Sequence, residues 1–423
     1  MSVIGRKGRK VKPISSFLKE LGDLKVIENR IGLNNLDDVT DTYVPVLLRY
    51  FEEKGVNFCQ DHEILELARE SETIKGFLFE KEWKHQAMME DLLNFLTSRG
   101  VFKKKGREYQ SVILSRREKQ IPRTENEDIS TPTRDLADHP KDVATLRDIS
   151  PFGSSQKEKM KTNATQTEQQ FGLQPRDKIW IEEAKPYKVV FNLFDRILSR
   201  FVLDSMRTGT KPATFDDRTD QLGRLMDSFF MTPNFVIPRM AVIIAAFKQA
   251  MPAKIFDLNC GTGRCIEEML LFKPYTEIIG VTDNEFQLRI AERNLAVFSD
   301  QRQLNPHVEW RVVDYSHPLP SQLEDLVGQY DMVLVNQLFQ FCPHDAHRRL
   351  VEEILSFVKM GGVVAFFQHL RAEKDLPWPH EWLYRAIQGF SGIPDEATFI
   401  NLLKREGGKN VQEIIPLAAY LVY

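Results

Sequence analysis

The sequence predicts an open, mostly parallel α/β sheet over residues 251–423, preceded by a smaller helical unit. Three observations predict it. Between Ile255 and Gln368, short apolar runs of strand length alternate with stretches whose apolar residues recur at helical spacing. Each strand-like run ends on polar residues: Asp257, Thr282-Asp283, Asp314-Tyr315 and Asn336. The first run is followed at once by Asn259-Cys-Gly-Thr-Gly263, a glycine turn leading into a helix. Open α/β sheets take their ligands at the carboxyl ends of the strands, so these polar ends define one candidate edge.

Taken in order, the opening strand brings Asp257 to that edge, and Gly261 and Gly263 let the backbone approach a ligand that a Cβ would push away. A phosphate loop would need Lys-Ser/Thr after its last glycine, where Arg264-Cys265 stands. A dinucleotide fold would want a third glycine and a ribose-binding acid about 20 residues further on. The pattern continues with a helix over 265–272, a strand over 277–281, a helix over 285–298 and a strand over 308–313. A strand over 331–335, a helix over 346–358 and a strand over 363–368 follow, the last announced by a turn at Lys359-Met-Gly-Gly362. Residues 411–415 and 418–423 read as a closing antiparallel hairpin.

With these motifs in this order, residues 250–423 resemble the class I S-adenosylmethionine (SAM) dependent methyltransferases, whose sheet is Rossmann-like. Asp257-x-Asn259-x-Gly261-x-Gly263 matches the first motif with Asn in place of its first glycine, and Asn also tolerates the left-handed conformation. Ile279-Gly-Val-Thr-Asp-Asn284 resembles the second-strand motif and Val312-Val-Asp-Tyr315 the adenine-side motif. The resemblance implies SAM as cofactor, with Asp257 and the glycine turn at the methionine end, Asp314 accepting from the adenine amino group, and Tyr315 bordering the ring. The family's second strand ends in an acid directly after Gly-Val. Here Thr282 holds that place and Asp283 follows, so either residue is a candidate for the ribose diol. Asn336, ending the fourth strand, completes the cofactor candidates.

Four cysteines without a Cys-x-x-Cys pair give no disulfide framework and point to a reducing, cytoplasmic compartment. No metal site is expected, and no apolar run reaches membrane-span length. With 42% hydrophobic and 28% charged residues and a net charge of −3, the chain reads as globular and not as a general polyanion binder. Residues 1–36 hold a basic tail and a first helix; the acid-free stretch 1–19 reads as a solvated tail, with an organelle-targeting segment or a nucleic-acid arm as alternatives. Residues 37–114 read as a winged-helix-like unit. Its helix carries Met89, Leu92, Leu93 and Leu96 on one face and stops at Gly100, and a short hairpin turns around Gly106. That helix also carries Glu90 and Asp91, which argues against DNA contact. Residues 115–176 have the composition of a disordered linker or insertion, and 177–250 form a helical connector with Val190, Phe194, Ile197 and Phe201 on one face. This order of parts is similar to small-molecule O-methyltransferases, which implies a homodimer formed through the N-terminal and connector helices.

Methyl transfer from an activated sulfonium needs alignment and exclusion of water more than covalent help. In the similar O-methyltransferases a His after the fourth strand serves as base, and Gln340 occupies that place here. Gln cannot take a proton at neutral pH, so His344, His369 or His380 acts from elsewhere, or the acceptor needs no base. Met226, Phe230, Phe339 and Trp382 are candidates for substrate contact, since soft Met and aromatic surfaces suit an apolar ligand. The reading is a SAM-dependent methyltransferase acting on the O or C atom of a small aromatic or apolar molecule. Alternatives are an inactive methyltransferase-like regulator and a nucleic-acid-modifying enzyme.

Overall fold

The computed structural model describes residues 227–372, 381–385, 387–406 and 410–423. Before these it describes 86–98, 102–105, 108–111 and 188–197, with scattered positions between 25 and 59 and between 202 and 209. The expected basic tail, the 115–176 segment, Met226 and His380 lie outside the described residues.

The C-terminal part is built on a seven-stranded sheet. Its strands are β3 (Lys254–Leu258), β4 (Glu277–Thr282), β5 (Val308–Val312), β6 (Tyr330–Asn336), β7 (Val358–Phe367), β8 (Val411–Ile415) and β9 (Ala419–Val422). They lie in the order β5-β4-β3-β6-β7-β9-β8. The first five run parallel, while β9 pairs antiparallel with both β7 and β8. The strand order reverses between β3 and β6, and a crevice opens where chain crossovers leave on opposite faces. Strand β3 is buried on both faces, with Ile255, Phe256 and Leu258 fully enclosed, as expected of a central parallel strand. Asp257 is the polar exception.

Helix α3 (Pro233–Ala250) precedes β3, and α4 (Arg264–Phe272) and α5 (Glu285–Arg302) follow β3 and β4. After β6 come α7 (His347–Phe357), then α8 (Glu381–Arg385) and α9 (Glu396–Glu406); a short helix, α6 (Leu319–Gln322), lies between β5 and β6. Asn284 caps α5 by accepting from the Gln287 amide at 2.9 Å, satisfying one of the free N–H groups of its first turn. Gly280 faces Trp310 across the β4–β5 pair, and a Cβ there would come within 2.7 Å of the indole.

Two expectations need correction. The turn expected at 359–362 lies inside β7, which begins at Val358; Gly361 takes a positive φ of 81° and the β6–β7 register shifts nearby, so the glycines form an irregularity within the strand. Helix α5 runs four residues beyond 298, because polar Ser299 to Arg302 complete its last turn before Gln303 caps it in the left-handed region.

In the N-terminal half, α1 (Gln86–Ser98) is followed by an antiparallel hairpin of β1 (Phe102–Lys105) and β2 (Glu108–Ser111). A helix followed by a hairpin therefore stands at the place where a helix and wing are expected; most of what would surround it lies outside the described residues. Helix α2 (Lys188–Ile197) buries Phe191, Phe194 and Ile197. Tyr50 stacks on Phe191 at 4.6 Å between centroids, Phe51 meets Phe194 at 5.0 Å, and contacts continue through Phe229 to Phe235. The connector's apolar face thus belongs to the core of this chain. No helix among the described residues is long and apolar enough to cross a membrane.

Candidate functional site

A cavity of about 670 Å3 opens at the carboxyl ends of β3, β4 and β6 and beneath the loop after β5. The β3–α4 turn forms its floor. Asn259, Gly261 and Gly263 have positive φ angles of 64°, 56° and 79°. A Cβ on Gly261 would meet nothing within 4 Å, whereas one on Gly263 would press on Ala291 of α5 at 3.1 Å. Gly261 thus keeps the cavity floor open, and Gly263 lets two helices approach. Asn259 adds a bond that glycine could not make, its Nδ2 donating to the Asn336 carbonyl at 2.6 Å and tying the turn to the end of β6.

Helix α3 and the residues before it fasten this turn from outside. Thr262 donates to Asp227 at 2.6 Å, and Arg264 pairs with the same carboxylate at 2.6 and 3.0 Å and with Glu267 at 2.8 Å. Arg239, alone among the apolar residues of mid-α3, forms a buried two-pronged pair with Glu268 at 2.5 and 2.6 Å. Both arginines also line the cavity.

Beneath the turn, Asp257 is completely enclosed and neither carboxylate oxygen has a hydrogen-bond partner. Burial pushes its carboxyl up to about 8, against the pull of Arg239. An enclosed acid with both oxygens unmatched is costly to the fold. At the end of β4 the side chains diverge. Thr282 is buried and donates to Gln287 at 2.8 Å, while Asp283, Asn284 and Gln287 line the cavity. Desolvation raises the Asp283 carboxyl, and the negative charge of Asp314 adds to the rise. After β5, exposed Asp314 accepts from the Ser316 amide at 2.8 Å, the Ser316 hydroxyl at 2.6 Å and His317 Nδ1 at 2.8 Å. These bonds hold its carboxyl down to about 2. Tyr315 borders the cavity with a buried hydroxyl that has no partner.

The opposite wall is apolar: Phe230, Phe235, Leu338, Phe341, Phe367 and Ile387. None of the expected bases among the described residues, Gln340, His344 and His369, lies on the cavity lining. Gln340 is fully buried, accepting at Oε1 from Gln368 at 3.0 Å. His369 is fully buried behind Phe235 and Phe367, and burial lowers its imidazole to about 3. His344 is exposed in the turn before α7. Phe339 is likewise enclosed in the core against His347 and Phe399, so it does not reach the cavity, whereas Phe230 does. Trp382 is on α8, whose neighbouring segment supplies Ile387, Gln388 and Gly389 to the lining; its own side chain is outside what is described.

Of the expected cofactor residues, Asn259, Gly261, Asp283, Asp314, Tyr315 and Asn336 line the cavity; Asp257, Gly263 and Thr282 support it from behind. Sequence reasoning missed Arg239, Thr262, Arg264, Gln287 and Gln337. One signal was available: a lone Arg in the apolar run Val236-Ile-Pro-Arg-Met-Ala-Val242 requires a buried partner.

The sheet order, the glycine turn and the polar strand ends define a class I methyltransferase domain, a class whose cofactor is SAM. In agreement, residues 255–362 match the family described as "Methyltransferase domain". The chain is 28% identical over 158 residues to trans-aconitate 2-methyltransferase of Azoarcus sp. (strain BH72), covering 36% of this chain and 55% of that protein. The match therefore spans about half the length of this curated relative. The citrinin polyketide synthase CMeT domain shares the fold at a TM-score of 0.52 and 12% identity, covering 97% of this chain and 96% of that one. An O-methyltransferase family 2 protein from Planctomyces limnophilus DSM 3776, solved in complex with apigenin, aligns at a TM-score of 0.45 with 16% identity, covering 89% and 95%.

Proposed function

We propose that this protein is a SAM-dependent methyltransferase that methylates a small aromatic or apolar acceptor through proximity, without a side-chain base. The observation that carries this reading is the two-sided cavity: acceptors and unmatched polar groups on the strand-end side, and on the other a wall of four phenylalanines, Leu338 and Ile387.

The residues present fit the cofactor. The open cradle at Gly261 would take the methionine end, with the enclosed Asp257 supporting the turn from behind. Asp283, helped by Gln287, would take the ribose diol, because Thr282 is turned away and committed to Gln287. Asp314 would accept from the adenine amino group, and Tyr315 would flank the ring. When bound, SAM supplies a methyl group already activated by a sulfonium. The protein's own contribution is to hold the acceptor in line against the phenylalanine wall and keep water out, which is worth several kcal/mol in well-aligned systems. A buried imidazole with a pKa of about 3 cannot draw a proton from a neutral hydroxyl at physiological pH. The acceptor therefore arrives ionised or readily ionisable.

The curated relative is named for methylating trans-aconitate, an acid. The apolar wall here favours a flatter, less charged molecule than a tricarboxylate. Isothermal titration with SAM and with its demethylated product, S-adenosylhomocysteine (SAH), tests the reading. Micromolar binding of both, followed by radiolabelled methyl uptake into acidic phenols or 1,3-dicarbonyls, is the expected result. Absence of binding by folded protein would leave a regulator built on a methyltransferase fold.

A further inference from the structure

One buried donor on the acceptor side is matched by nothing else in the protein. Gln337 follows β6 directly, is 6% exposed, lines the cavity, and has an Nε2 without a hydrogen-bond partner. The His369 backbone N–H approaches Gln337 Oε1 at 3.4 Å, so the NH2 end of the amide is the one left without a partner. The residue is held in place from its backbone, with φ at 51° and its N–H donating to the Phe367 carbonyl at 2.7 Å. Leu338, Phe341 and Phe367, all close to it along the chain or the sheet, belong to the apolar wall. A fixed N–H donor in an otherwise apolar wall is costly unless a ligand completes it.

We propose that Gln337 is the substrate-orienting residue of this site, and that its Nε2–H donates to an anionic oxygen of a flat acceptor: an aromatic enolate or acidic phenolate. This deepens the proposed function and rests on it. A lone uncharged donor beside phenylalanines matches one concentrated oxygen charge on an apolar body, and it does so without a base, in keeping with a cavity whose described lining residues include no histidine. The balance of the reaction is simple. A lone pair of the acceptor oxygen, or of the conjugated carbon, forms the new bond to the methyl carbon as the methyl–sulfur bond breaks and its electron pair stays on sulfur. The acceptor's negative charge and the sulfonium charge cancel, and no proton moves. With the oxygen held by Gln337, the conjugated carbon is the atom left free to react.

The probe is 4-hydroxycoumarin, an enol ionised at neutral pH, titrated into full-length protein saturated with SAH; coumarin, which lacks the hydroxyl, is the control. Gln337→Gly relieves the backbone while removing the donor, and Gln337→Glu keeps the shape while replacing the donor with a negative charge. The expected result is that 4-hydroxycoumarin binds wild type, binds Gln337→Gly about tenfold or more weakly, and binds Gln337→Glu more weakly still. SAH affinity should stay within about twofold throughout, as should coumarin affinity in Gln337→Gly. Equal 4-hydroxycoumarin affinity in wild type and Gln337→Gly, or no binding to an SAH-loaded wild type, overturns the assignment. Failure of wild type to bind SAH overturns the proposed function itself, and the two failures are read in separate titrations.

Discussion

Single residues carry the cofactor prediction. Asp257 is enclosed with both oxygens unmatched, and Asp314 is exposed and already ionised. Replacing Asp314 with Ala should weaken SAM binding by roughly tenfold or more, the loss expected when a charged hydrogen-bond partner is removed, and replacing Asp257 should weaken it by disturbing the turn it supports. Titration calorimetry of both variants checks this, and unchanged affinity in both would remove the pocket assignment. These two acids were legible in the sequence because each ends a recognisable apolar run. The choice between Thr282 and Asp283 was not, since it depends on which way consecutive side chains leave the strand end. Gln337 was equally invisible: its importance comes from a cavity closed by Phe235 and Ile387, residues far from it in sequence.

At the scale of elements, the periodic segments were read correctly and the joints between them were not. The alternating helices and strands of 254–368 follow from apolar spacing alone, whereas the contact between α1 and α8 joins residues almost three hundred positions apart. There Asp91 of α1 accepts from Arg385 at 2.6 Å and lies 3.5 Å from Arg371, and Arg371 pairs in turn with fully buried Glu381. Two acids and two arginines balance, and the segment just after α8 roofs the cavity through Ile387 and Gly389. Arg371→Met leaves Glu381 enclosed with a weaker partner, Arg385 at 4.0 Å. It should cost about 3–5 kcal/mol, read as a lower urea midpoint. Within the sheet, Gly280→Ala drives a Cβ into Trp310 and Ile266 at 2.7 and 2.9 Å. Overpacking of that kind should cost about 1–3 kcal/mol, and a thermal midpoint equal to wild type would show that the β4–β5 pair yields more easily than its packing implies.

For the whole molecule, two fully buried groups set how stability depends on pH, and they act in opposite directions. Asp257 has its carboxyl raised to about 8, so between about pH 4 and 8 the folded chain holds a proton that the unfolded chain has released. His369 has its imidazole lowered to about 3, so below about pH 6.5 the unfolded chain takes up a proton that the folded chain refuses. From about pH 8 down to 6.5 Asp257 holds its proton only in the folded chain, and stability rises as pH falls, by roughly 1.4 kcal/mol per unit at most from this group. Between about 6.5 and 4 the Asp257 and His369 contributions offset each other. Further acid leaves His369 unopposed and stability falls, helped by carboxylates that their partners hold low, among them Asp314, Asp325 and Asp331. Buried Glu381, raised by desolvation, acts in the same direction as Asp257. The ligand-free protein should therefore be most stable in mildly acidic buffer. Thermal midpoints recorded from pH 4 to 9 test this, with Asp257→Asn as the decisive variant. Removing the titrating group should flatten the decline between pH 6.5 and 8 while leaving the acid limb in place. An unaltered decline would mean that another group carries it and that Asp257 is ionised in the empty cleft.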